Sequence, residues 1–117
     1  MSEKTEKTDK EKAIDKERRR LNKLLKGMDE NKLKACKTLV DRAAFLTVSL
    51  DEAEQQLNAE GWTEFYQNGK DQQGVKKSAI ADVHISLTKN LNAIMKQLID
   101  LVPPAQRKSK LEELRKR

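Results

Sequence analysis

An all-α fold is predicted for this 117-residue chain: a long antiparallel helical hairpin with an additional charged N-terminal helix and a basic C-terminal tail. Three observations carry that expectation. Apolar residues recur at threes and fours over residues 39–57 and again over 80–101, the spacing of one helix face. A strong turn signal, Asn68-Gly69, sits between those two stretches. Hydrophobic residues make up 36% of the chain and aromatics 3%. That is enough for a helical core but too little for a Rossmann domain, a barrel or a β-sandwich.

Residues 1–8 carry no apolar periodicity and are expected to be disordered. From Asp9, helix formers dominate, and Ala13, Ile14, Leu21, Leu24, Leu25 and Met28 give a thin apolar stripe. Gly27 is a plausible stop. Asp29 reads as the N-cap of a second, long helix whose seam is Leu39, Ala43, Leu46, Leu50, Ala53 and Leu57. Leu33, Cys36, Val40 and Val48 broaden that seam, and Gly61 stands where the helix should end. Residues 61–78 are expected to form a loop with room for a short hairpin. Ser78 is a candidate N-cap for a third helix, with Ile80, Val83, Leu87, Leu91, Ile94, Leu98 and Leu101 on one face. Ile85, Met95, Ile99 and Val102 give it a second apolar edge, and Pro103-Pro104 ends it. Ser109 and Glu112 have capping-box spacing, which predicts a short helix in the basic tail. The chain thus divides into residues 1–28, a hairpin core over 29–104 with its loop at 61–78, and a tail over 105–117.

The residue types exclude several chemistries. One histidine, His84, and one cysteine, Cys36, cannot build a Cys/His zinc site or a disulfide within the chain. There is no phosphate-binding G-x-x-x-x-G-K-[ST] loop and no serine in a nucleophile elbow. Cys36 is expected to be a small packing residue, His84 an interface or surface histidine, and the carboxylates Asp51, Glu52 and Glu54 a solvated face. The expectation is a non-catalytic protein without metal, cofactor or small-molecule substrate. No apolar run reaches the length of a membrane span or a secretory signal, so a soluble, cytoplasmic protein is expected.

Charge is the strongest binding signal. The net charge is +6, distributed as +4 over residues 1–28, −3 over 29–60, +1 over 61–78, zero over 79–104 and +4 over 105–117. The first basic cluster is Lys16, Arg18, Arg19, Arg20, Lys23 and Lys26, of which Lys16, Arg19, Lys23 and Lys26 share a helix face. The second is Arg107, Lys108, Lys110, Arg115, Lys116 and Arg117. Both suit a phosphate backbone, and both also suit salt-bridged or solubilising surfaces. The aromatic cluster Trp62, Phe65 and Tyr66 is expected to cap the hairpin or to plug into a neighbouring subunit. With Leu39, Leu46, Leu50, Leu57, Leu87, Leu91, Ile94 and Leu98, it makes up the expected core and oligomerisation surface.

The order of motifs resembles a known family. A leucine-patterned helix ending in Gly61 is followed by Glu64-Phe65-Tyr66-Gln67-Asn68-Gly69 and Gln73-Gly74-Val75-Lys76-Lys77-Ser78. A long helix then closes with Gln97-Leu98-Ile99-Asp100-Leu101-Val102-Pro103. From about Leu33 to Pro104 this resembles the small terminase subunit of tailed double-stranded DNA bacteriophages, in the branch common in Gram-positive phages and prophages. The resemblance implies a homo-oligomeric ring that binds viral double-stranded DNA in the host bacterial cytoplasm. It also implies delivery of that DNA to the large terminase subunit, which carries the packaging ATPase and nuclease. The helix-turn-helix unit of other branches has no counterpart in residues 1–28, so phosphate contact and DNA shape are the expected modes of recognition. The alternative class is a small antitoxin-like or chaperone-like helical regulator acting through protein contacts. An RNA-associated helical protein is a weaker third reading.

Overall fold

The computed structural model describes residues 6–67, 69, 70 and 72–116. Most of the first expected disordered segment, Asn68 of the expected turn and Arg117 of the basic tail lie outside those residues. The described chain is mainly helical, with four α-helices and one small two-stranded sheet. In order they are α1 (Asp9–Leu24), α2 (Glu30–Glu60), β1 (Thr63–Gln67), β2 (Gln73–Lys77), α3 (Ala79–Leu101) and α4 (Arg107–Arg115). A single 3-10 turn over Pro104–Gln106 leads into α4.

Local chemistry accounts for most element ends. Thr8 accepts a hydrogen bond from the Glu11 amide on its side-chain oxygen and caps α1, so the end of the expected disordered segment is a helix cap. Asp29 occupies the N-cap of α2 as expected, without a side-chain bond. Gly61 follows α2 at φ +90°, ψ 165°, a backbone state that only glycine adopts without strain. Ser78 caps α3 by accepting from the Ala81 amide. The tail helix departs from expectation: it begins at Arg107, not after Ser109, and its N-cap Gln106 makes no side-chain bond. The 3-10 turn supplies the nucleus instead. The Arg107 side chain then donates to the carbonyls of Val102 at 3.0 Å and Asp100 at 3.2 Å, satisfying the open end of α3.

α2 and α3 run antiparallel. Cys36 and Val40 near the start of α2 share a core cluster with Leu98 and Val102 at the end of α3. Glu54 near the end of α2 reaches His84 near the start of α3 at 3.4 Å. α1 folds back onto this pair and contributes Leu21 and Leu25 to the same cluster, with Met28 just beyond it. Cys36 is fully enclosed there, and burial pushes its thiol pKa up.

Most of the expected α2 seam is buried: Cys36, Val40, Ala43, Val48, Leu50, Ala53 and Leu57 are enclosed, whereas Leu39 and Leu46 are only half-buried. Ala44 and Thr47, which the expected seam did not include, are buried beside Ala43, and these small side chains let neighbouring helices approach. α3 is less enclosed than its pattern suggests. Of its residues only Ala81 and Leu98 are buried, Leu87, Leu91 and Ile94 are half-buried, and Val83 and Ile85 are exposed. The expected second buried edge is therefore open at its N-terminal half. Of the aromatic cluster, Trp62 and Phe65 are exposed and Tyr66 is half-buried, so these rings do not fill the core of this chain.

The expected loop contains a regular antiparallel hairpin, with Phe65 opposite Val75 and Tyr66 opposite Gly74. Tyr66 lies across Gly74, where an added Cβ would meet its ring at 2.9 Å. A side chain at position 74 would push the tyrosine ring aside. The radius of gyration is 18.9 Å, against about 13 Å for a compact domain of this length. The chain alone is elongated.

Polar contacts fix α1 on α2. Arg18 bridges Asp15 at 2.6 Å and Asp41 at 2.7 Å, and Lys10 pairs with Glu52 at 2.8 Å while lying 4.8 Å above the Phe45 ring. The Lys7 ammonium beside Asp15, helped by Arg18, holds that carboxyl below its ordinary range against an opposing desolvation effect. In the unfolded chain the group titrates near 3.8. A depressed native pKa contributes stability above that value, and the contribution is lost as pH falls through the native one. Asp15→Asn should therefore melt below wild type at about pH 6, and the gap should close as pH drops below the ordinary carboxylate range. A gap in melting temperature that is unchanged by acid would contradict this.

Candidate nucleic-acid interface

The two basic ends of the sequence meet at one pole of the molecule. α1 runs down to that pole, α2 starts there, and α4 packs against α1 and the end of α3. Arg20, Lys23, Leu24, Ser109, Lys110, Glu113 and Lys116 enclose an open hollow of about 430 Å³ between α1 and α4. On the other side of Lys23 lies a second, of about 670 Å³, with Asn22, Lys23, Lys26, Lys34 and Lys37 around a floor of Leu25, Leu33 and Cys36. Lys23 belongs to both, so the basic surface is continuous across α1.

The structure sorts the expected cations into two kinds. Arg18 is held by Asp15 and Asp41, Arg20 by Glu17, and Arg107 by backbone carbonyls. Their charges and donors are committed to the fold. Lys16, Arg19, Lys23 and Lys26 are exposed and make no ion pair among the described residues. They follow one face of α1 and its C-terminal turn for about 15 Å, a length spanning about four phosphates of one DNA strand along its axis. Lys110 and Lys116 extend this surface from α4, with Lys108 also exposed. Arg115 faces elsewhere, into a groove between α3 and α4.

Lys34 and Lys37 are additions that the sequence reading missed. They stand one turn apart near the start of α2. Averaging charge over residues 29–60, which nets −3, hid them behind the acidic far end of the same helix. A shorter window would have found Lys32, Lys34 and Lys37 together. The acids around this pole include Asp29, Glu30, Glu112 and Glu113, and Glu17 is bound to Arg20.

The other pole is apolar at its surface. Phe65 is 65% exposed and Val75 67%, and they face each other across the hairpin. Trp62, Val83 and Ile85 lie exposed beside the base of that hairpin. Trp62 meets the His84 ring edge-on at 5.4 Å, which ties the hairpin to α3. His84 is thus engaged with Glu54 and Trp62. Glu52 is paired with Lys10, and Asp51 also has a partner. Among the described residues there is no group of three or more His, Cys, Asp or Glu side chains placed to hold a metal ion, and no helix is long and apolar enough to cross a membrane.

Comparison with protein-family models, curated proteins and solved structures finds no match. The chemistry of the two poles therefore has to speak for itself. Clustered, unpaired ammonium groups around shallow hollows attract a polyanion by counterion release and read no base sequence by that means.

Proposed function

We propose that this chain is a non-catalytic, DNA-binding adaptor of the small terminase type. In this reading it assembles as a homo-oligomeric ring, recognises viral double-stranded DNA and delivers it to a large terminase subunit. The observation that carries the reading is the convergence of Lys23, Lys26, Lys34, Lys37, Lys110 and Lys116 on one pole, remote from the exposed apolar pole, with Lys16 and Arg19 farther along the same face of α1. A basic pole repeated around a ring makes a continuous positive surface. The apolar pole, with Phe65 and Val75 opposite each other, supplies surface that a neighbouring copy would bury. The elongated shape supports the same reading, because a chain this open gains from burying surface between subunits. The motif order from Leu33 to Pro104 gives the terminase assignment its specificity.

Native mass spectrometry at moderate salt tests the assembly, and fluorescence anisotropy with a duplex tests the ligand. The expected result is one closed assembly of many subunits that binds duplex with a steep salt dependence. A persistent monomer or dimer with no affinity for duplex would overturn the reading in favour of a regulator that acts on another protein.

A further inference from the structure

A second surface lies beside the basic pole and is distinct from it in chemistry. Met95, Lys96 and Ile99 of α3 and Leu111, Leu114 and Arg115 of α4 enclose a groove of about 390 Å³. Its floor is apolar. Met95, Ile99 and Leu114 are half-buried, and Leu111 is 38% exposed. Its only charged lining groups are Lys96 on one side and Arg115 on the other. Both are exposed, and neither makes an ion pair among the described residues.

We infer that this groove docks a short amphipathic helix of another protein, with apolar anchors along one face and Asp or Glu on its flanks. The geometry is that of a helix laid into the furrow between two helices. The lining runs over five residues of each helix, Met95–Ile99 and Leu111–Arg115, so the furrow is about 7 Å long and grips one to two helical turns. Leucine-sized anchors at i, i+3 and i+4 fill the apolar floor. The flanking carboxylates meet Lys96 and Arg115, so charge complementarity selects an acidic partner over a basic one.

A second copy of this chain is the competing occupant, because its own α4 carries Glu112 and Glu113 between Leu111 and Leu114, and the sedimentation measurement below separates the two. This inference does not rest on DNA binding. Lys96 lies outside the basic surface assigned above, so the two readings fail separately.

The test uses the full chain and a fluorescein-labelled 15-residue peptide, leucine at i, i+3 and i+4 and glutamate on both flanks, followed by fluorescence anisotropy. Saturable binding is expected. Lys96→Glu should weaken it at least ten-fold, and Leu111→Ser at least five-fold. A peptide with lysine in place of glutamate should bind Lys96→Glu better than it binds wild type. Circular dichroism and duplex binding of Lys96→Glu should match wild type. Three results would overturn the inference: no saturable binding at millimolar peptide, equal affinity for a leucine-scrambled peptide, or wild-type affinity in both variants. A fall in sedimentation coefficient on Leu111→Ser would assign the groove to a neighbouring copy instead.

Discussion

Replacing Lys23, Lys26, Lys34 and Lys37 together with glutamine should abolish most duplex binding while leaving the fold intact. All four are exposed around one hollow, and none is paired among the described residues. Glutamine keeps much of each stem and removes only the charge. If each lysine neutralises one phosphate, the slope of log K against log salt becomes shallower by about 3 to 4. At 0.1 M salt that corresponds to a loss of affinity on the order of a thousand-fold. Arg18→Gln should behave differently. Its guanidinium is already bound to Asp15 and Asp41, so its loss should loosen α1 and leave the salt slope nearly unchanged. Anisotropy titrations at several salt concentrations separate the two. Equal slopes for wild type and the fourfold variant would remove the hollow from the interface.

Val40→Asp should unfold the chain. Val40 is 1% exposed and lies among Cys36, Ala43, Ala44 and Leu98, with no cation to meet a new carboxylate. A carboxylate buried there must be desolvated without a partner or take up a proton, at a cost of several kcal/mol. Small domains have only about 5–15 kcal/mol of total stability, and this one has a thin core. Leu46→Asp should be milder, because Leu46 sits half-buried at the edge of the seam. Circular dichroism and thermal melting should show V40D largely unfolded at 25 °C and L46D folded with a lowered melting temperature. The reverse order of severity would mean that the leucine seam, and not the alanine-lined face, is the true packing surface.

That contrast locates what was legible in the sequence. Caps and stops were readable because they depend on single residues: Asp29, Gly61, Ser78 and Pro103-Pro104 mark their boundaries correctly. The mainly helical character followed from spacing. The exact edge of the α2 seam did not, because Ala44 and Thr47 are buried beside the expected Ala43 through close helix approach, while the expected Leu39 and Leu46 stay half-buried. The start of α4 was misplaced because Arg107 bonds to carbonyls of α3, a tertiary contact with no local signature. The functional pole was half legible. Basic runs at the two ends stood out, but their meeting depends on α1 and α4 packing together. Lys34 and Lys37 join them only because α2 begins where α1 ends. Likewise the sequence left Arg18, Arg20 and Arg107 open between phosphate contact and salt-bridged surface, and the fold ties all three.

Lysine footprinting of the protein with and without duplex DNA tests the central claim most directly. Acetylation read by mass spectrometry should fall on Lys16, Lys23, Lys26, Lys34, Lys37, Lys110 and Lys116 when duplex is bound. Lys70, Lys76 and Lys77 at the hairpin and Lys89 on α3 should stay as reactive as before. Protection centred on the hairpin lysines, or no protection at the basic pole under saturating duplex, would contradict the account.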